Sequence, residues 1–143
     1  MPGERGVPEG TEARGKTLSV ESSWQVGYRC LVRSRQFEIQ VDEPTGAGGG
    51  DTGPQPSEVF LASLASCFTL AIYHVAAKRD ITLPDLTVRA TGEYQGPKFA
   101  RLVLEVSSTT PKDVLEPLIE RAKGVCYVSN TLRAVSDVDV LLA

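Results

Sequence analysis

The chain is poor in the residues that build metal and redox-cofactor sites. Its 143 residues include one histidine and three cysteines, Cys30, Cys67 and Cys126, and no two of these form a C-x-x-C pair. That inventory does not support a zinc site of the usual spacing, and no metal or cofactor is expected. Positive charge is also short: 15 Lys and Arg against 18 Asp and Glu give a net charge of −3 and a pI near 5.2. This is the wrong balance for a protein held to nucleic acid by phosphate contacts, so no nucleic-acid partner is expected. The start, Met1-Pro2-Gly3-Glu4-Arg5-Gly6-Val7-Pro8, has neither the apolar segment of a secretory signal nor a twin-arginine run. The expected location is therefore cytoplasmic, where structural disulfides are disfavoured and cysteines are either reactive or simply buried.

The longest absence is of charge: no Asp, Glu, Lys or Arg stands between Glu58 and Lys78. Pro56 and Ser57 suit a helical first turn, and Glu58 lies near the positive end of the dipole, so the run reads as one long core helix. Its length approaches that of a membrane span. Ser63, Ser66, Cys67, Thr69, Tyr73 and His74 dilute its apolarity, however, and its small residues suit packing against protein, so no membrane partner is expected. A helix apolar on nearly every face needs more cover than one chain of this size offers, which points to an obligate homodimer. Cys67 shares a face with Ser63, Leu70 and His74. A mid-helix thiol gains nothing from the dipole, and activating it requires a cation or donor from elsewhere. His74, two turns on and about 10 Å away along the axis, is too distant to be its base within one chain.

Residues 1–16, with four glycines and two prolines, read as a flexible arm before a single domain over 17–143. Alternating Leu18, Val20, Trp24 and Val26, then Tyr28, Cys30 and Val32, then Phe37, Ile39 and Val41 predict a three-stranded antiparallel meander. Cys30 belongs to its alternating face and reads as structural, with Arg29, Arg33 and Arg35 on or near the other side. The glycine-rich stretch from Glu43 to Gln55 contains a literal G-x-G-x-x-G at Gly48, Gly50 and Gly53. It lacks the strand-to-helix turn and the later acidic residue of a dinucleotide site, so a mobile loop is the better reading. Further on, Leu86, Val88 and Ala90 and then Leu102, Leu104 and Val106 predict a hairpin turned at Gly96-Pro97. A second helix should start around Thr110–Asp113, be kinked or delayed toward Glu116 by Pro117, and end at Gly124. Ser129 or Asn130 can cap a short helical segment. Val135, Val138, Val140 and Leu142 suggest a last strand. The order is β-β-β-α-β-β-α-β, an α+β fold with mostly antiparallel sheets.

Two motifs carry a resemblance. Pro56-Ser57-Glu58 with Phe60-Leu61-Ala62 and Ser66-Cys67, followed downstream by Gly124-Val125-Cys126-Tyr127-Val128-Ser129-Asn130-Thr131-Leu132-Arg133, resembles the OsmC/Ohr family of thiol peroxidases over roughly residues 17–143. The resemblance implies an intertwined homodimer with the two long helices at its centre. It also implies an organic hydroperoxide substrate attacked by Cys67, with Cys126 resolving the resulting sulfenic acid to a disulfide. A dithiol, in one branch a lipoylated protein, would reduce that disulfide.

The family pattern differs at three places. Where the peroxidases have glutamate after the helix-initiating proline, this chain has Ser57, with Glu58 one place later and about 100° round the helix. The position of the family's arginine falls near Val26 or Gly27, so Arg29 is the nearest candidate cation and Arg33 the next. Tyr127 replaces a usual proline. Two readings follow: a cysteine peroxidase for fatty or alkyl hydroperoxides in oxidative-stress defence, using Cys67, Cys126, Arg29 and Glu58, or a non-catalytic protein of the same fold that binds an apolar ligand at the dimer interface.

Overall fold

The computed structural model describes residue 15, residues 17–134 and residues 138–143. It divides into two compact units, Met1–Gly53 with Val135–Ala143, and Pro54–Ala134. Apart from Gly15, the expected N-terminal arm lies outside the described residues.

In the first unit, β1 (Glu21–Val26), β2 (Arg29–Ser34) and β3 (Phe37–Val41) form the expected antiparallel meander in the order β1-β2-β3. Leu18 and Val20 fall outside β1 and are exposed. Cys30 stands opposite Trp24 on β1 and Val41 on β3. The glycine-rich loop is internally bonded rather than loose. The buried carboxylate of Asp42 accepts from the Glu43 N–H at 2.7 Å, the Gly50 N–H at 3.2 Å, and the Thr52 N–H and hydroxyl at 3.3 and 2.7 Å. The Thr52 hydroxyl is the main reason its pKa falls below the ordinary carboxylate value, against the opposing effect of burial. Gly53 is needed where it stands, because a Cβ there would lie 2.1 Å from the Gln40 carbonyl oxygen.

The second unit is organised on α1 (Pro56–Lys78), with the hairpin β4 (Thr87–Gln95) and β5 (Lys98–Ser107), α2 (Lys112–Val125) and α3 (Tyr127–Ala134). α1 starts on a reciprocal cap: the Gln55 side chain accepts the Glu58 N–H, while the Gln55 N–H donates to Glu58 Oε1 at 3.0 Å. Leu64, Phe68, Ala71, Ile72, Val75 and Ala76 form its buried stripe, at the spacing of one helix face. α1 is long and apolar enough to cross a bilayer by length and composition, but here it packs on α2, β4 and α3. Three of its hydroxyls bond within the helix, Ser63 donating to the Phe60 carbonyl at 2.7 Å, Ser66 to that of Ser63 at 3.3 Å and Thr69 to that of Ala65 at 2.8 Å.

An aromatic cluster fixes the first turns of α1 against the hairpin. Phe99 stacks on Phe60 at 5.9 Å and against Tyr94 at 4.6 Å between ring centroids, and the Tyr94 hydroxyl donates to Ser57 Oγ at 2.9 Å. Gly92 makes room for this cluster, since a Cβ there would sit 2.6 Å from the Phe99 ring. At the other end of the hairpin, Asp85 accepts from the Thr109 N–H and hydroxyl at 2.8 and 2.9 Å and ties the two connecting segments together.

Two expectations about the C-terminal third are corrected, while the start of α2 falls within the expected Thr110–Asp113 segment. α2 begins at Lys112 on Pro111 rather than being delayed to Glu116; Pro117 is inside the helix on an exposed position, where the carbonyl it leaves unbonded can meet water. α2 passes through Gly124 to Val125, because the Cys126 N–H still bonds to the Ala122 carbonyl at 3.1 Å. Finally, residues 138–143 form no strand, having no sheet partner among the described residues, and residues 135–137 lie outside them. The described order is therefore β-β-β-α-β-β-α-α, an α+β arrangement.

Candidate active site

Two of the three thiols come together at the junction of α1, α2 and α3. Cys67, one residue before Phe68, falls at the edge of the buried stripe of α1 and is half-buried. Cys126 has no exposed surface and belongs to the core cluster with Phe68, Ala71, Ile72, Leu118 and Ala122, against which Cys67 also packs. Both are free thiols, and Cys67 is among the side chains that act on the Cys126 thiol.

The local chain geometry makes Cys126 a special position. It is the single residue between α2 and α3, extended at φ −82° and ψ 105°; it closes α2, and its carbonyl accepts the Asn130 N–H at 3.0 Å to open α3. It thus occupies the N-cap of α3, where the first N–H groups have no partner within the helix. Burial is the largest single influence on the Cys126 thiol and pushes its pKa up. The hydroxyl and N–H of Ser129, the contact with Cys67 and the N–H of Val128 oppose it, and together they bring the pKa below the ordinary thiol value of 9.0. The joint is braced from the far side of the turn. The Asn130 side chain donates to the Gly124 carbonyl at 3.1 Å, and Arg133 donates to the Lys123 carbonyl at 3.1 Å and to Asn130 Oδ1 at 2.5 Å, satisfying two open carbonyls at the end of α2.

Cys67 opens onto a cleft of about 540 Å³ lined also by Leu70, Tyr73, His74, Val125 and Tyr127. Cys126 does not line it. A separate, apolar cavity of about 330 Å³ lies between α1, β5, α2 and α3, with Leu64, Phe68, Leu104 and Ile119 in its wall and Lys123 and Arg133 among its polar residues.

The other candidates are placed as follows. Glu58 lies in the first turn of α1, where its carboxylate holds the helix cap. Arg33 is paired with Glu38 at 2.9 Å, and Arg35 stands over the Phe37 ring at 5.0 Å. Arg29, on β2, has a buried Nε without a hydrogen-bond partner among the described residues. No group of three or more His, Cys, Asp or Glu residues able to hold a metal ion occurs among the described residues. Sequence reasoning treated Ser129 only as a helix cap and missed its bond to Cys126, whose carbonyl accepts the Ser129 hydroxyl at 3.3 Å. The signal was the spacing Cys126-x-x-Ser129, an N-cap residue followed by its N3 partner.

Comparison with known proteins agrees with this α+β core. The OsmC-like protein family matches residues 48–140. The organic hydroperoxide resistance protein of Xanthomonas axonopodis pv. citri (strain 306) is 31% identical over 121 residues, covering 80% of this chain and 85% of its own. Among solved structures, an organic hydroperoxide resistance protein OsmC from Legionella pneumophila aligns with a TM-score of 0.65 at 25% identity, covering 85% of this chain and 92% of its own. An OsmC like protein from Mycoplasma pneumoniae aligns at 0.71 with 22% identity, covering 85% and 91%. The fold is that of the OsmC proteins. The chain belongs to the OsmC-like protein family.

Proposed function

We propose that this protein is a cysteine peroxidase that reduces organic hydroperoxides in oxidative-stress defence. The observation that carries the reading is that Cys67, which opens on a cleft, packs against the core cluster that holds the buried Cys126. In the proposed cycle the Cys67 thiolate attacks the distal peroxide oxygen, the O–O bond breaks, and the alkoxide leaves and takes a proton to become the alcohol. The Cys67 sulfenic acid then condenses with Cys126, releasing water and forming the disulfide. A dithiol, with a protein-bound dihydrolipoyl group as the candidate, reduces it. The names of the Xanthomonas and Legionella relatives support the hydroperoxide as substrate.

Arg29 is the proposed cation for the Cys67 thiolate, ahead of Arg33, whose guanidinium is engaged by Glu38. The cap bond of Glu58 leaves that carboxylate less available to fix an arginine, so turnover is expected to be slow. The apolar cleft favours bulky organic peroxides over hydrogen peroxide. The proposed working form is a cytoplasmic homodimer built on α1.

Intact mass and free-thiol count before and after one equivalent of cumene hydroperoxide test the cycle: two thiols should be lost without a mass gain from oxygen. Cys67→Ser should abolish peroxide consumption, whereas Cys126→Ser should turn over once and then progress to sulfinic acid. Wild-type rates in Cys67→Ser would overturn the peroxidase. The apolar cavity beside α1 would then favour the second reading, a binding protein of the same fold for an apolar ligand.

A further inference from the structure

The inner face of the hairpin is incompletely covered. Leu102, Leu104 and Val106 alternate along β5 onto the side that meets the helices, yet each stays only half-buried. Residues at that spacing offer about 14 Å of continuous apolar strand surface. All three line the cavity of about 330 Å³, together with the buried Leu64 and Phe68 of α1. The charged residues of the same cavity are of one sign and stand together: Lys123 and Arg133 are both exposed, and Arg133 Nη2 donates to the Lys123 carbonyl at 3.1 Å and to Asn130 Oδ1 at 2.5 Å. Lys123 is partly neutralised by Glu120 at 2.5 Å, whereas no carboxylate pairs with Arg133 among the described residues. The cavity therefore combines an apolar interior with a guanidinium at its solvent side.

We propose that this cavity is a binding site for a single-chain carboxylate of about eight to twelve carbons, its chain along β5 and its head group at Arg133. It shares no lining residue with the cleft of Cys67 and is a second site, not part of the first. The proposal does not rest on the peroxidase reading, and it narrows the binding-protein reading from an apolar ligand to an amphipathic anion. Ligand cavities run from roughly 300 to 1,000 Å³, so this one is at the small end and has room for one alkyl chain rather than a two-chain lipid. Affinity comes from covering the half-buried residues of β5, while the choice of head group comes from the planar guanidinium, whose fork matches a carboxylate. An exposed ion pair is weak, so the head group sets selectivity more than strength.

Calorimetric titration of the full chain at pH 7 tests this with octanoate, decanoate, decanol and decylamine. Decanoate should bind roughly tenfold more tightly than octanoate, as two further methylenes leave water. Decanol should bind about fivefold more weakly than decanoate, the upper range for an exposed ion pair, and decylamine more weakly still. Arg133→Gln should bring decanoate down to the affinity of decanol and leave decanol within about twofold; Lys123→Gln should change decanoate by less, because Glu120 already engages that charge. Ile119→Trp, which fills the cavity from α2, should remove binding of both. The wild-type series does not depend on any variant's folding: equal affinity for decanoate and decylamine, or no decanoate binding at millimolar concentration, overturns the proposal. So does an unchanged preference for decanoate in Arg133→Gln, or a crystal structure of the decanoate complex with the chain in the Cys67 cleft. Cys67→Ser should bind decanoate as wild type does. A protein inert to cumene hydroperoxide that still binds decanoate overturns the peroxidase reading alone, and an active peroxidase that binds none overturns this site alone.

Discussion

At Cys126 a cysteine holds the N-cap position of a helix where serine, threonine, aspartate or asparagine is the usual choice. A neutral thiol accepts hydrogen bonds weakly, so the cap gains strength when the thiol ionises, and ionisation is favoured in turn by the donors of Val128 and Ser129. The consequence for stability has a definite sign. A thiol whose folded pKa lies below the unfolded value of 9.0 contributes stability that is fully present above about pH 9 and is lost as pH falls through the folded pKa. Fully reduced Cys67→Ser protein should therefore be more resistant to urea at pH 9 than at pH 6, relative to the Cys67→Ser/Cys126→Ala double variant. Parallel pH profiles for the two would show that Cys126 stays protonated in the folded chain.

Among the elements, the hairpin does more than pair two strands: through Phe99 and Tyr94 it holds the first turns of α1 at Phe60 and Ser57. The whole arrangement passes over Gly92. Gly92→Ala should force the Phe99 ring off Phe60 and destabilise the fold by about 1–3 kcal/mol, the usual cost of overpacking. Urea unfolding should read this as a lower midpoint at unchanged slope; an unaltered midpoint would mean that the ring moves aside freely. The α2–α3 joint is equally economical. One extended residue changes the chain direction, and Asn130 and Arg133 close the carbonyls that α2 leaves open.

On the scale of the whole molecule, the outstanding feature is the face of α1 opposite its core stripe. Leu70 is 65% exposed and Tyr73 63%, although both lie on the most apolar element of the chain. Exposed apolar residues grouped on a long helix mark an interaction surface, and a second copy of the same helix is the occupant we expect. Sedimentation at micromolar concentration should give a homodimer, and Leu70→Glu should shift it to monomer while retaining helical circular dichroism. A folded wild-type monomer under those conditions would rule the dimer out.

Elements marked by strong local signals were legible in the sequence. The charge-free run from Val59 to Ala77 defined α1, strict alternation defined the meander and the hairpin, and Pro56, Gly96 and Pro97 punctuated them, because periodicity and capping are local properties of the chain. The cysteine pair was legible as two positions within a family resemblance, but not as a contact. Local signals failed where the outcome depended on partners far along the chain. The alternation of Val138, Val140 and Leu142 predicts a strand that finds no sheet partner among the described residues, and a glycine-rich loop read as mobile is bonded through the single carboxylate of Asp42. The tertiary structure alone decided that Cys67 packs against the cluster that holds Cys126, that the cleft reaches only Cys67, and that Cys126 lies on the N-terminus of a helix. Those outcomes depend on how α1 packs against the α2–α3 joint, and no spacing within either segment encodes the distance between them.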